Sequence, residues 1–204
     1  MRKLYFSLWA LFFFFVTNAQ IVNIPDANFK AKLLSANSSN QVASTETPNV
    51  DGNVNTFTSI DTNSDGEIQV SEASVIKYLS LYNSSITNLD GISSFTNLES
   101  LICYGNQLTS LSINGLINLK FLSSSNNQLT SLNLTGLINL QSLNCPSNQL
   151  TSLSINGLTN LQTLNCSNNL LSSIDVSGLN NLQVLDCNDN QLPSLNVSGL
   201  TNLQ

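Results

Sequence analysis

The chain has 204 residues, 41% hydrophobic and only 9% charged, with six basic residues against twelve acids and no histidine. An acidic chain of this kind is repelled by phosphate backbones, which argues against nucleic acid as a partner. The lack of histidine removes the commonest general base and the commonest zinc ligand, so any catalysis would rest on carboxylates, Lys, Tyr, Ser or Cys.

Arg2 and Lys3 precede an apolar run from Leu4 to Val16, and small residues follow at Thr17 and Ala19. This is the pattern of a secretory signal peptide over residues 1–19, and the run is short for a membrane span. The expected product is secreted or displayed at the cell surface, with no transmembrane segment after cleavage. Its mature form has four lysines against twelve acids, a net charge of −8, and no Arg or Trp.

Residues 20–78 read as a cap. "NIPDANFKAKLL" (23–34) predicts a short amphipathic helix, with Pro25 and Asp26 in its first turn and Phe29, Leu33 and Leu34 on one side. Residues 35–56, rich in Ser, Asn and Thr with Pro48 and Gly52, predict a mobile loop. "DTNSDGEIQVSE" (61–72) then fits the twelve-residue calcium loop D-x-[DN]-x-[DN]-G-x5-E at every defined position. Asp61, Asn63 and Asp65 would supply side-chain oxygens, Glu67 its backbone carbonyl, Gln69 a direct or water-bridged contact, and Glu72 a bidentate carboxylate. Gly66 would permit the turn and Ile68 would point to the core. Hard oxygen donors in this number suit calcium. No second such loop occurs to pair with it, so the expected role of the ion is structural rather than sensory. "EASVIKYL" has helical character before the first strand near Leu79.

From Thr109 the sequence repeats every 21 residues, as in "TSLNLTGLINLQSLNCPSNQL" (130–150), preceded by a 22-residue unit (87–108) and a degenerate opening unit (78–86). Each carries L-x-x-L-x-C/S-x-x-N-x-L, exemplified by Leu140, Leu143, Cys145, Asn148 and Leu150. This resembles the leucine-rich-repeat family. The implied fold is an α/β solenoid over 79–204: a ladder of short parallel strands about 4.8 Å apart, an irregular convex side and a small helical N-terminal cap. In each strand Leu143 and Cys145 would point inward while Ser142, Asn144 and Pro146 point out. The repeated asparagines (Asn106, Asn127, Asn148, Asn169, Asn190) would satisfy backbone groups where the chain leaves the strand. Cys103, Cys145, Cys166 and Cys187 share one inward position, with Ser124 in the gap. Side chains stacked in register suit disulfide torsions poorly, so free buried thiols are expected.

The order of helix, polar loop, second helix and "FTNLESL" resembles the cap and first repeats of internalin-like bacterial surface proteins. The Cys-bearing units followed by "NQLTSL" resemble secreted repeat proteins of gliding and environmental bacteria. By that resemblance the chain, which stops inside a repeat, reads as a fragment. The implied function is recognition of a protein partner on the concave face, with glycan-binding adhesion as the alternative. Ile102, Tyr104 and Phe121 form a candidate partner-binding strip on that face. A carboxylate-based hydrolase, with Asp186 and Asp189, is the third and least favoured reading; Asp189 follows the strand in the loop, the two read as a solvated pair, and no catalytic site is expected.

Overall fold

A computed structural model describes residues 19–204. The signal-peptide reading falls almost wholly on residues 1–18, outside the described ones. Among the described residues no helix is long and apolar enough to cross a membrane.

The architecture is a mostly-β parallel solenoid built from the periodicity. Seven strands form one sheet in chain order: β1 (Ala43–Ser44), β2 (Tyr78–Ser80), β3 (Ser100–Ile102), β4 (Phe121–Ser123), β5 (Ser142–Asn144), β6 (Thr163–Asn165) and β7 (Val184–Asp186). From β2 onward all pairs are parallel, and Leu79, Leu101, Leu122, Leu143, Leu164 and Leu185 stack in register. Because side chains alternate along a strand, fixing these leucines in the core turns residues such as Ser142 and Asn144 outward. The return segments carry no α-helix. One 3-10 turn (Ile92–Ser94) is the only regular element there, and Leu111, Ile113 and Leu116 and their equivalents fill the core from that side.

Two sets of asparagines hold successive turns together. Asn127 donates to Cys103 O and Ser124 O at 3.0 and 3.1 Å and accepts from Leu108 N at 3.0 Å. Asn148 and Asn169 repeat this with their own neighbours. Each such side chain therefore satisfies buried backbone groups of two repeats at once. The second set is Asn118, Asn139, Asn160, Asn181 and Asn202, whose amides donate to Thr96, Ile117, Ile138, Thr159 and Asn180 carbonyls one turn earlier.

The cap begins with α1 (Ala27–Leu34), which buries Phe29 and Leu33. Asp26 lies just before the helix rather than in its first turn. One of its oxygens caps Phe29 N–H at 2.8 Å, and the other accepts from Thr87 N–H, Thr87 O–H and Asn88 N–H. Burial opposes its ionisation, but these hydrogen bonds outweigh that and hold its pKa down at about 2. One carboxylate thus fastens the first helix to the first repeat. The second helix, α2, is a single turn (Val70–Ala73) that ends before β2.

The segment expected to be a mobile loop has a defined conformation. Residues 43 and 44 pair antiparallel with β2, covering the first edge of the sheet. Glu46 accepts from Asn55 N–H, Thr56 N–H and Thr56 O–H, which together with the Asn55 amide keep its carboxyl below the usual range. Asn49 Oδ1 accepts from Asp51 and Asn53 N–H, closing a five-residue turn (49–53). Side chains supply here the backbone order that no strand provides.

Candidate functional site

The calcium-type loop is built as its sequence requires in its backbone. Ser64 and Gly66 adopt positive φ of 60° and 81°, and nothing crowds the place a Gly66 side chain would occupy, so glycine is needed there for conformation alone. Asp61 accepts from Asp65 and Gly66 N–H, and Asp65 accepts from Glu67 N–H and from the Asn63 and Gln69 amides. Glu67 turns its carboxylate away to Lys30 at 2.6 Å, leaving its backbone carbonyl as the possible ligand. Gln69 and Glu72 form a capping box on α2, and Glu72 Oε1 also accepts from Thr62 N–H and O–H. That oxygen has both lone pairs engaged, while Glu72 Oε2, which accepts only from Gln69 N–H, retains one.

No three acidic, His or Cys side chains form a metal cluster among the described residues. A cation here would also draw on the Asn63 amide and backbone oxygen, a donor set of hard oxygens that fits calcium. Ile68 is fully buried, as expected. The loop also has a backbone partner that the sequence did not reveal. Val22 N–H donates to Ile68 O, Val70 N–H donates to Gln20 O, and Ile21 bridges Gln69. The first described residues thus pair with the strand portion of the loop.

The four cysteines are free. Burial pushes the Cys103 thiol up to about 12 and Cys166, helped by Cys187 and Asp186, to about 12 as well; Cys145 is also raised. Cys187 is only partly buried, and its thiol is raised by that burial and by the Asp186 charge beside it. Ser124, in the gap of the ladder, is fully buried and its hydroxyl has no hydrogen-bond partner among the described residues.

The outward face of the strand ladder differs along its length. Tyr78, Ser80, Ser100 and Phe121 are buried, although they point away from the core. Ser100 Oγ donates to Gly52 O at 2.9 Å, and Gly52 (φ 80°) lies so close to Phe121 that a Cβ would approach the ring to 2.6 Å. The candidate Phe121 therefore supports the 49–53 turn instead of standing open, at 9% exposure. Phe121 lies diagonal to Ile102 on the sheet, since Ile102 pairs with Ser123 and Phe121 with Ser100. Tyr104 stacks on Tyr82 with centroids 5.4 Å apart, and the Lys32 ammonium lies 5.1 Å from the Tyr82 ring. Ile102 and Tyr104 both remain partly exposed, as do Ser142, Asn144, Pro146, Thr163, Asn165 and Ser167. Where the 49–53 turn overhangs β4 to β6 it leaves two adjoining clefts of about 190 and 120 Å³, both lined by Asp51, Phe121 and Ser142.

The family described as Leucine Rich repeats (2 copies) matches residues 159–202. The functional domain of InlJ from Listeria monocytogenes, described as including a cysteine ladder, is similar with a TM-score of 0.73 and 31% identity over 91% of this chain. A leucine-rich-repeat protein of Leptospira interrogans is similar with a TM-score of 0.61 and 28% identity over 66% of this chain. The internalin inlF of Listeria monocytogenes shares the fold at 21% identity, with a TM-score of 0.72 over 93% of this chain. The chain spans 37%, 38% and 52% of those three chains, respectively. No curated protein is matched significantly by sequence. Stacked register, repeated asparagines and these likenesses agree: the chain is a leucine-rich-repeat protein whose structural neighbours include internalins.

Proposed function

We propose that the protein is a secreted or cell-surface recognition module that binds a protein partner on the concave face of its repeats. The observation that carries this reading is the division of labour within each strand. The inward Leu of β2 to β7 is held constant, while the outward positions 142, 144, 163, 165, 184 and 186 change residue type and keep solvent access. A rigid ladder with freely chosen outward side chains is what a repeat protein offers a macromolecular partner. The fold is typical of non-enzymatic recognition scaffolds. The proposed surface runs from Ile102 and Tyr104 at the cap end across β5 to β7, with Phe121 as a support beneath the overhanging turn.

Affinity capture of surface proteins, followed by variants Tyr104→Ala, Asn165→Ala and Asn188→Ala (Asn188 is exposed and one 21-residue repeat after Ser167), tests the reading. A partner whose affinity falls in these variants without a change in melting temperature supports it. Partners that bind all three variants like the wild type would place recognition elsewhere.

The same proposal assigns Asp61, Asn63, Asp65, Glu67, Gln69 and Glu72 to a structural calcium ion that fixes the cap. Four carboxylates within twelve residues repel one another, which a cation relieves. Calcium at a hundred times its Kd would add about 2.7 kcal/mol to stability if it binds only the folded form. Melting curves that coincide in calcium and in chelator, with no heat of calcium binding, would dismiss the ion.

A further inference from the structure

The 49–53 turn is unlike an ordinary repeat-protein loop in where it is fastened. Asn49 ties its backbone from within, and Ser100 and Phe121 hold it against the sheet from below. The turn presents Asp51 and Val50, the latter 88% exposed, over the outward ends of β4, β5 and β6. Opposite them stand Gln141, Ser142, Gln162 and Thr163.

These polar groups differ from the others in the cap and turns. Glu46, Asn49, Asp26 and the repeated asparagines spend their hydrogen-bonding capacity on backbone groups. By contrast, the side chains of Asp51, Gln141, Ser142, Gln162 and Thr163 make no hydrogen bond to protein among the described residues, yet they converge on one cleft. No lysine lines it, so an anionic ligand has nothing to pair with. The lining offers too little apolar surface for a lipid or aromatic ligand, which would need a mainly hydrophobic wall.

From this arrangement we propose that the cleft binds a neutral saccharide. Ser142 and Thr163 pair across adjacent strands, about 4.8 Å apart, a spacing comparable with the span of a sugar ring. The glutamine amides both donate and accept, and the Asp51 carboxylate accepts only, a mixture that matches hydroxyl groups acting in both senses. Val50 offers an apolar contact for the C–H face of the ring. The backbone of the turn and of the strands is held in place beforehand, which limits the ordering cost of binding to the side chains themselves. A cleft of about 190 Å³ joined to one of about 120 Å³ has room for one or two sugar rings. The proposal deepens the recognition reading, on which it rests, by giving the sheltered end of the face a ligand class of its own.

The test is an array of neutral oligosaccharides probed with the full chain in calcium-containing buffer, with calorimetry on each glycan retained. Asp51→Ala and Gln162→Ala are expected to weaken a bound glycan at least tenfold while leaving the melting temperature unchanged, since both side chains are solvent-exposed. Asn188→Ala, outside the cleft, is expected to leave glycan binding alone. A glycan that binds both cleft variants as well as the wild type would overturn the site, and an array with no retained neutral glycan would overturn the ligand class. Neither outcome touches the protein-partner reading, which is decided by capture with the Tyr104, Asn165 and Asn188 variants.

Discussion

The cap-proximal and distal halves of the solenoid share one repeat design but expose it differently. At the first outward position of successive strands, Tyr78, Ser100 and Phe121 are buried, Ser142 and Thr163 are partly open, and Val184 is 49% exposed. Inward positions follow the same gradient, since Cys103, Cys145 and Cys166 are buried and Cys187 is not. The repeat motif alone does not determine burial; its neighbours do. The same residue position is core beneath the cap, wall in the cleft and free surface beyond it.

The sharpest way to break this comparison is to remove equivalent asparagines from the two halves. Asn127→Ala strands buried backbone groups of two repeats and is expected to cost about 3 kcal/mol or more. Asn190→Ala removes the same bonds where they are partly solvated, and should cost about 1 kcal/mol. Equal losses in urea titrations would mean the distal repeat is as protected as the proximal one.

A smaller effect isolates the fastening at the cap. The Asp26 carboxylate has its folded pKa lowered to about 2, so its contribution is complete above the unfolded value of about 3.9 and is lost as pH falls through about 2. Asp26→Ala, which also removes the helix cap, should cost about 2 kcal/mol at neutral pH once the charge contribution is discounted for partial exposure. The gap between wild type and variant should narrow between about pH 4 and pH 2, read from melting temperatures in that range. A gap that stays constant down to pH 2 would show that the charge does not hold the cap.

Ser124→Cys should stabilise the proximal half by about 1 kcal/mol, because it replaces an unpaired buried hydroxyl with a small apolar thiol. Destabilisation would mean that the hydroxyl is satisfied in solution. The smallest effect, in rate rather than energy, is the order of thiol labelling. Cys187 should react first in the native protein, and Cys103, Cys145 and Cys166 should react only on unfolding. Four thiols after denaturation without reductant are expected; fewer would reveal disulfides and contradict the register of the ladder.

The repeats were legible because a 21-residue period fixes which residues face inward, and Leu143 and Cys145 follow from alternation without further information. The second asparagine set, at 118, 139, 160, 181 and 202, carries the same periodic signal, but its role is masked in a sequence so rich in surface asparagines. The 49–53 turn was not legible. Its Ser-, Asn- and Thr-rich neighbourhood has the composition of a mobile segment, and its order arises from single contacts by Glu46, Asn49, Ser100 and Phe121 that no period announces. For the same reason Phe121 read as an open aromatic. Its cover comes from Gly52, 69 positions earlier in the chain, and only the fold brings the two together. The calcium-type loop is legible as a sequence motif, whereas its pairing with residues 20–22 is not, being two backbone hydrogen bonds between segments with no sequence relation.

The asparagine bonds have one consequence for how such a chain can change length. Asn148 reaches Ser124 O and Leu129 N in the turn before it, and Asn169 reaches Cys145 O and Leu150 N by the same offsets. The junctions made by Asn127, Asn148, Asn169 and Asn190 therefore have the same chemistry, and each of these units needs only an equivalent predecessor. A copying error that inserts or drops one whole 21-residue unit between β4 and β7 leaves each remaining junction chemically intact. Such a chain can be lengthened or shortened by gene duplication or deletion without being redesigned, while the turn that overhangs β4 to β6 stays fastened to its own two strands.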